Sequence, residues 1–183
     1  MTALRKDILY FNKIFLSDRG YERYNTSKYP DKKLAVISCM DTRLTELLPA
    51  AMNFRNGDVK MIKNAGAIIS HPFGSVMRSV LIAVYQLKVE ELAVVGHYDC
   101  GMQGLDPEEL IALMIERGIG TDQIEMVRNY CVNLEAWLEG FESAEKSVDA
   151  TLKTIRNHPL IPKDIAIYGF MMDPATGRLD PVL

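Results

Sequence analysis

The sequence predicts an α/β protein in which helices cover both faces of a mainly parallel sheet. Short apolar runs of strand length alternate along the chain with segments of helical periodicity, the pattern of repeated strand–helix–strand units. The runs are apolar almost throughout, as expected for strands buried on both faces. At 183 residues the chain suits one domain, predicted over 1–183 with an N-terminal helical arm over 1–26.

Four runs are predicted as strands because they are short, rich in β-branched and aliphatic residues, and bounded by turn residues. A fifth, shorter strand is predicted at the end of the chain, after the turn sequence DPATG. The predicted strands are 33–39, 58–66, 91–97, 164–172 and 178–183.

The first predicted helix lies in the N-terminal arm, where apolar residues recur at helical spacing from Leu4 to Leu16. Ser75 is predicted to cap a second helix, Asp106 a third and Ser143 the last, since serine and aspartate accept hydrogen bonds from the first free amides of a helix. The predicted helices are 4–16, 75–87, one that starts within 106–110, 124–138 and 144–156.

Charge and cysteine content argue against several function classes. The net charge is −3 and no basic block is present, so no nucleic-acid or membrane-surface partner is expected. No apolar run approaches the ~18 residues of a membrane span, and polar residues interrupt any signal-peptide core near the N-terminus. Three cysteines, at 39, 100 and 131, argue against a disulfide framework. We therefore expect a cytoplasmic protein. Cys131 lies in a helical pattern and is expected to be a packing residue.

Two short motifs carry the candidate chemistry. Cys39 ends the first predicted strand, His97 ends the third, and Cys100 follows three residues later. If these two strands are neighbours where the strand order reverses, their carboxyl ends meet at one crevice. Two thiolates and one imidazole form a ligand set that zinc accepts in catalytic sites, with a fourth position open. A His-x-x-Cys motif alone is more often structural, so the conjunction with Cys39 is what favours a zinc site.

Asp41 and Arg43 follow Cys39 at alternate positions, so in an extended segment the three side chains lean to the same side. The Arg43 guanidinium is suited to hold the Asp41 carboxylate through two parallel hydrogen bonds. Asp41 either ligates the metal directly or, held back by Arg43, accepts the proton of metal-bound water. The sequence leaves both roles open.

With both motifs in place, the sequence resembles the β-class carbonic anhydrases, in particular their compact prokaryotic branch. The family signature is Cys-x-Asp-x-Arg followed by His-x-x-Cys, which here reads CMDTR at 39–43 and HYDC at 97–100. The segment KNAGA at 63–67 matches the family's Arg-Asn-Ala-Gly loop with lysine in place of arginine, and 168–182 looks like the family's last strand and turn. The similarity covers most of the chain.

The resemblance implies one zinc ion per chain, held by Cys39, His97 and Cys100, with Asp41 and Arg43 as a catalytic dyad. It implies a three-layer fold whose central four-stranded parallel sheet has the order 2-1-3-4, with a short antiparallel edge strand. It also implies a homodimer, or a dimer of dimers, in which the N-terminal helix packs on the partner. The substrate pocket is expected at Asn64, Ala65, Gly66 and Gly101.

The implied activity is the reversible hydration of carbon dioxide to bicarbonate by zinc-bound hydroxide, the carbonate dehydratase reaction of a lyase. Backbone amides around Gly66 and Gly101 are expected to donate to the bicarbonate. Relatives with the same zinc ligands hydrolyse carbonyl sulfide or carbon disulfide, which is the first alternative. A zinc-stabilised, non-catalytic dimeric module is the second. The pair formed by Asp41 and Arg43 argues against that module, since a purely structural site has no use for a held-back carboxylate.

Overall fold

The computed structural model describes residues 2–130 and 133–182, so the predicted packing role of Cys131 lies outside the described residues. Five strands form one sheet in the order β2-β1-β3-β4-β5. The first four are parallel and β5 runs antiparallel to β4, which confirms the predicted fold class and strand order. The strands are β1 Leu34–Cys39, β2 Val59–Asn64, β3 Glu91–His97, β4 Ala166–Met172 and β5 Leu179–Val182.

Helices pack on both faces of this sheet. The described residues form seven α-helices, with short 3-10 turns at Glu22–Tyr24 and Ala65–Ala67. The α-helices are α1 Ala3–Ser17, α2 Leu44–Ala51, α3 Ser75–Tyr85, α4 Pro107–Glu116, α5 Thr121–Tyr130, α6 Leu134–Leu138 and α7 Ala144–Arg156.

Alternating side chains of the central strands supply two cores. On β1, Ala35 and Ile37 face a cluster that includes residues of α3 and α7, whereas Val36 faces the cluster that contains Leu44 and Leu48 of α2. Leu44 and Leu48 are four residues apart and both fully buried, so they anchor α2 from one helix face. Full burial of one such leucine contributes about 1.5–3 kcal/mol. The central strands are thus held from both sides.

Two local predictions differ from the structure, and one helix was not predicted. The predicted single helix 124–138 is wrong, because α5 and α6 are separate helices and Asn133 caps α6 by accepting the Ala136 amide at 3.1 Å. Ser75 is the first residue of α3, whose N-cap is Gly74. Helix α2 was not predicted; it is only eight residues long and contains Pro49, and both features weaken a helical sequence signal.

The strand order places a reversal point beside β1. The chain passes from β1 to β2 on one side and returns to β3 on the other side of β1. Residues at the carboxyl ends of β1 and β3 therefore border the crevice where ligands bind in open α/β sheets. Cys39 and His97 are the last residues of these two strands.

Helix α1 lies apart from both cores. All of Ala3–Ser17 is within the described chain, and none of these residues is buried. Leu4, Ile8 and Phe11 recur on one helix face, and Phe11 is 65% exposed. In the part of the chain that the structure describes, no helix is both long enough and apolar enough to cross a membrane.

Candidate active site

The three predicted metal ligands converge at the reversal point of the sheet. Cys39, His97 and Cys100 are all buried, and their ligand atoms lie within 4.8 Å of one another. Cys39 and His97 come from the ends of adjacent strands, and Cys100 returns toward them from the loop after β3. The sequence prediction that these residues form one cluster agrees with this geometry.

The distance between the two sulfurs fits a shared zinc ion and excludes a disulfide bond. The Cys39 and Cys100 sulfurs are 3.9 Å apart, far beyond a disulfide bond of about 2.05 Å. Two thiolates on one tetrahedral zinc would lie about 3.8 Å apart, given Zn–S distances of about 2.3 Å. The distance between the two sulfurs thus matches that between two ligands of one ion.

His97 presents an unshared nitrogen to the same point. Its Nδ1 lies 2.8 Å from the backbone oxygen of Tyr98, so Nδ1 carries the proton and donates it to that carbonyl. Nε2 is buried and has no hydrogen-bond partner among the described residues. A buried nitrogen lone pair without a partner is costly in a folded protein, and a metal ion is the group that would satisfy it here.

The two thiols differ in pKa because they lie next to each other in different surroundings. Burial raises the pKa of Cys39, but His97 and the backbone amides of Asp41 and Gly66 outweigh it and lower the pKa to about 7. Burial also raises the pKa of Cys100, to about 11, and the nearby charge of Cys39 adds to the effect. One thiolate therefore opposes ionisation of the other, and a divalent cation would relieve that repulsion.

Asp41 and Arg43 form a tight ion pair beside the ligands. The guanidinium Nε donates to Asp41 Oδ1 at 3.1 Å, and Nη2 donates to Oδ2 at 2.8 Å. The Arg43 backbone amide also donates to Oδ1 at 2.8 Å. The side-chain hydrogen bond from Arg43 is the main reason that the pKa of Asp41 falls to about 2. The carboxylate is thus ionised, and its Oδ2 lies 3.9 Å from His97 Nε2.

Two site residues were not predicted from the sequence. Asp99 accepts a hydrogen bond from Arg43 Nη1 at 2.7 Å. An acidic residue between His97 and Cys100 indicates this role only once Arg43 is known to lie nearby. Lys63 donates from Nζ to the backbone oxygen of Cys39 at 3.1 Å. Burial lowers the pKa of Lys63. Both residues contact the segment from Cys39 to Arg43 that carries the ligand and the dyad.

The predicted pocket residues divide between two places. A cleft of about 680 Å³ opens over the ligands, and its lining includes Ala65, Gly101 and Met102 beside the dyad. Asn64 lines a separate depression instead, together with Trp137, and its amide donates to the Ile68 carbonyl. The structure therefore brings Ala65 and Gly101 to the cleft, whereas Asn64 lies outside its lining.

Gly66 lies in the 3-10 turn that follows β2, and its backbone amide helps to lower the pKa of the Cys39 thiol. Its role as a donor to bicarbonate stays a prediction. Its φ is +77°, and a Cβ built on it would lie 2.9 Å from Phe141. Glycine is required here both by the left-handed backbone and by the close approach of Phe141.

Replacing Gly66 with alanine is expected to lower the free energy of unfolding by about 1–3 kcal/mol, because strain at positive φ adds to a steric clash. Gly104→Ala is the matched control, since Gly104 has φ +71° but no atom of residues 2–130 or 133–182 lies within 4 Å of an added Cβ. Chemical denaturation of both variants measures the difference. Equal stability of the two variants would show that the contact with Phe141 is unimportant.

The fold and the site together define a class: a doubly wound α/β protein with a Cys₂His cluster that could hold a metal ion and an aspartate–arginine pair at the reversal point. The chain belongs to the β-carbonic anhydrase family, a family of lyases. The family model described as carbonic anhydrase matches residues 34–179, which include every candidate ligand and both members of the dyad.

Known proteins of this family resemble nearly the whole chain. The Bacillus subtilis protein named "Putative carbonic anhydrase YtiB" is 50% identical over 99% of this chain and 97% of its own. The crystal structure of β-carbonic anhydrase isoform I from Trichomonas vaginalis superposes with a TM-score of 0.90 at 30% identity, covering 100% of this chain and 98% of that one. A carbon disulfide hydrolase from Acidithiobacillus thiooxidans is 26% identical over 82% of this chain and 77% of its own.

Proposed function

We propose that this protein catalyses the reversible hydration of carbon dioxide to bicarbonate, with one proton released to solvent per turnover. The observation that carries the proposal is the cluster of Cys39, His97 and Cys100 beside an ionised Asp41. Cys39, His97 and Cys100 would hold one zinc ion per chain. Zinc bound there would lower the pKa of water and supply a hydroxide nucleophile near neutral pH.

Asp41 and Arg43 would orient the nucleophile. The Asp41 carboxylate, 17% exposed, would accept a hydrogen bond at Oδ2, directing a lone pair of the attacking oxygen toward the carbon of carbon dioxide. Arg43 keeps this carboxylate ionised and turned to one side. The hydrogen bonds from Arg43 also oppose direct ligation of the metal by Asp41. The pair therefore favours Asp41 as a hydrogen-bond acceptor over Asp41 as a metal ligand.

The cleft suits a small, weakly polar substrate. Ala65 and Met102 contribute apolar surface. Gly101 leaves space, since an added Cβ there would meet no atom of the described chain within 4 Å. The Gly101 backbone amide remains our candidate donor to bicarbonate. A non-catalytic zinc module gains nothing from an acid–arginine pair at such a cleft, so the site supports an enzyme.

Carbon disulfide or carbonyl sulfide hydrolysis is the second candidate, favoured by the similarity to a carbon disulfide hydrolase. The deciding experiment is to assay the zinc-loaded protein with each of the three substrates under one set of conditions. The proposal expects the highest kcat/KM with carbon dioxide. Faster turnover of carbon disulfide or carbonyl sulfide than of carbon dioxide would favour the second candidate.

We also propose that the protein is cytoplasmic and forms a homodimer, or a dimer of dimers, through α1. A reducing compartment suits ligand thiols that must stay reduced to bind metal. Leu4, Ile8 and Phe11 leave an apolar stripe on α1 uncovered, and a stripe of this kind is more typical of an interface than of a solvated surface.

The double substitution Ile8→Glu and Phe11→Glu is expected to shift the protein from dimer to monomer at micromolar concentration, because it places two charges in the apolar interface. Sedimentation velocity measures the change. The matched control is Asp7→Glu with Lys13→Glu, which alters polar positions of the same helix. A wild-type protein that sediments as a monomer would contradict the dimer.

A further inference from the structure

The guanidinium of Arg43 donates hydrogen bonds from two of its edges, one to Asp41 and one to Asp99. On one edge, Nε and Nη2 donate to the Asp41 carboxylate, as described above. On the other side, Nη1 donates to Asp99 Oδ2 at 2.7 Å and Nη2 donates to the Asp99 backbone oxygen at 2.8 Å. The two acidic residues thus occupy both edges of one planar cation, which fixes its plane as well as its position.

The hydrogen bonds to Asp41 fix only one edge of the guanidinium. Arg43 is 42% exposed, so without a second partner water would compete for the remaining N–H groups. The Asp99 contact adds a second carboxylate and a backbone carbonyl from a different segment of the chain. Arg43 then has fewer competing rotamers, and the carboxylate of Asp41 stays aimed at the cleft.

The backbone of Asp99 is shaped for this contact. Its φ is +54°, in the left-handed region that aspartate and asparagine tolerate better than most residues. Asp99 lies between His97 and Cys100, so its pairing with Arg43 joins the segment 97–100, which carries two ligands, to the segment that carries Cys39. Its side chain is 85% exposed, so the contact is not a consequence of core packing.

We propose that Asp99 is a positioning residue for the dyad: it holds Arg43 in the orientation that keeps Asp41 directed at the cleft. This inference rests on the proposed function. It predicts an effect on kcat with little effect on KM or on zinc content, because Asp99 touches neither the ligand atoms nor the space where substrate would bind.

Two substitutions separate the carboxylate from the backbone. Asp99→Gly keeps the left-handed backbone and removes both side-chain oxygens, whereas Asp99→Asn keeps the backbone preference and one acceptor. We expect kcat for carbon dioxide hydration to fall about three- to fivefold in Asp99→Gly, the range of an exposed charge pair, and less than about twofold in Asp99→Asn. Zinc should stay near one per chain in both.

Glu90→Gln is the matched control. Glu90 also forms an exposed ion pair, with Lys33, but at the opposite end of β3, about 20 Å away by strand length. Its kcat should equal that of the wild type. Unchanged kcat in Asp99→Gly, or a loss of kcat that follows a loss of zinc, would overturn the inference.

A crystal structure of Asp99→Gly tests the inference without an assay. The inference expects the Arg43 guanidinium to leave its position against Asp41, while Cys39, His97 and Cys100 stay in place. An unchanged Arg43 would overturn the role of Asp99, whatever the substrate is. A wild-type protein without carbon dioxide hydration would instead overturn the proposed function alone, since the crystal structure still decides the role of Asp99.

Discussion

The Cys100→Ala substitution is expected to reduce bound zinc from about one ion per chain to nearly none. Three protein ligands leave one position open, and removal of one thiolate leaves only Cys39 and His97, too few for a stable catalytic site. Cys39→Ala and His97→Ala should have the same effect. Elemental analysis of the purified proteins after dialysis against a weak chelator measures the zinc content.

Cys131→Ser is the control for this experiment, because it removes one thiol and leaves the cluster of Cys39, His97 and Cys100 complete. It should retain zinc at the wild-type level. Near-stoichiometric zinc in Cys100→Ala would contradict the assignment of the metal site. Loss of zinc in Cys131→Ser as well would show that thiol content, and not the cluster, governs zinc binding.

The Asp41→Asn substitution is expected to lower kcat/KM for carbon dioxide hydration by about 100-fold or more while zinc remains bound. This is the range for loss of a group that handles a proton at the reacting atoms. Asparagine fills the same space, but its neutral amide no longer provides the charged acceptor that faces His97. Stopped-flow rates and zinc content, measured on the same preparation, separate loss of chemistry from loss of metal.

Arg43→Ala should cause a loss of the same order, because it releases the Asp41 carboxylate. The freed carboxylate would be able to turn toward the ligand cluster and compete for the open position. Asp58→Asn is the control for Asp41→Asn: Asp58 is 19% exposed and pairs with Lys32 at 4.0 Å, but it precedes β2 at the end of the strands opposite the ligand cluster. Full activity in Arg43→Ala would contradict the orienting role of the dyad.

Much of the site was predictable because the ligands lie at strand ends. Cys39 and His97 terminate apolar strands, and the parallel topology brings such ends to one edge of the sheet. The ligand cluster therefore followed from the motifs together with strand order. The same reasoning could not find Asp99, since its pairing with Arg43 depends on the path of a loop and on a left-handed backbone at one residue.

The wrong or displaced predictions have a common physical origin. The helical pattern over 124–138 continues across the boundary between α5 and α6, and only the cap at Asn133 reveals a second start. Asn64 is adjacent to Ala65 in sequence, yet its side chain donates to the Ile68 carbonyl and lines a separate depression. Periodicity in the sequence predicts helices and strands, whereas helix caps and the direction of a side chain are known only from the three-dimensional structure.

The most direct test of the account is to follow carbon dioxide hydration while zinc is added back to metal-free protein. The account predicts that the rate rises in proportion to bound zinc, reaches its maximum at one ion per chain, and stays at the uncatalysed level in Cys100→Ala at the same zinc concentration. A zinc-saturated wild-type protein that hydrates carbon dioxide no faster than buffer, or a metal-free protein that is fully active, would contradict it.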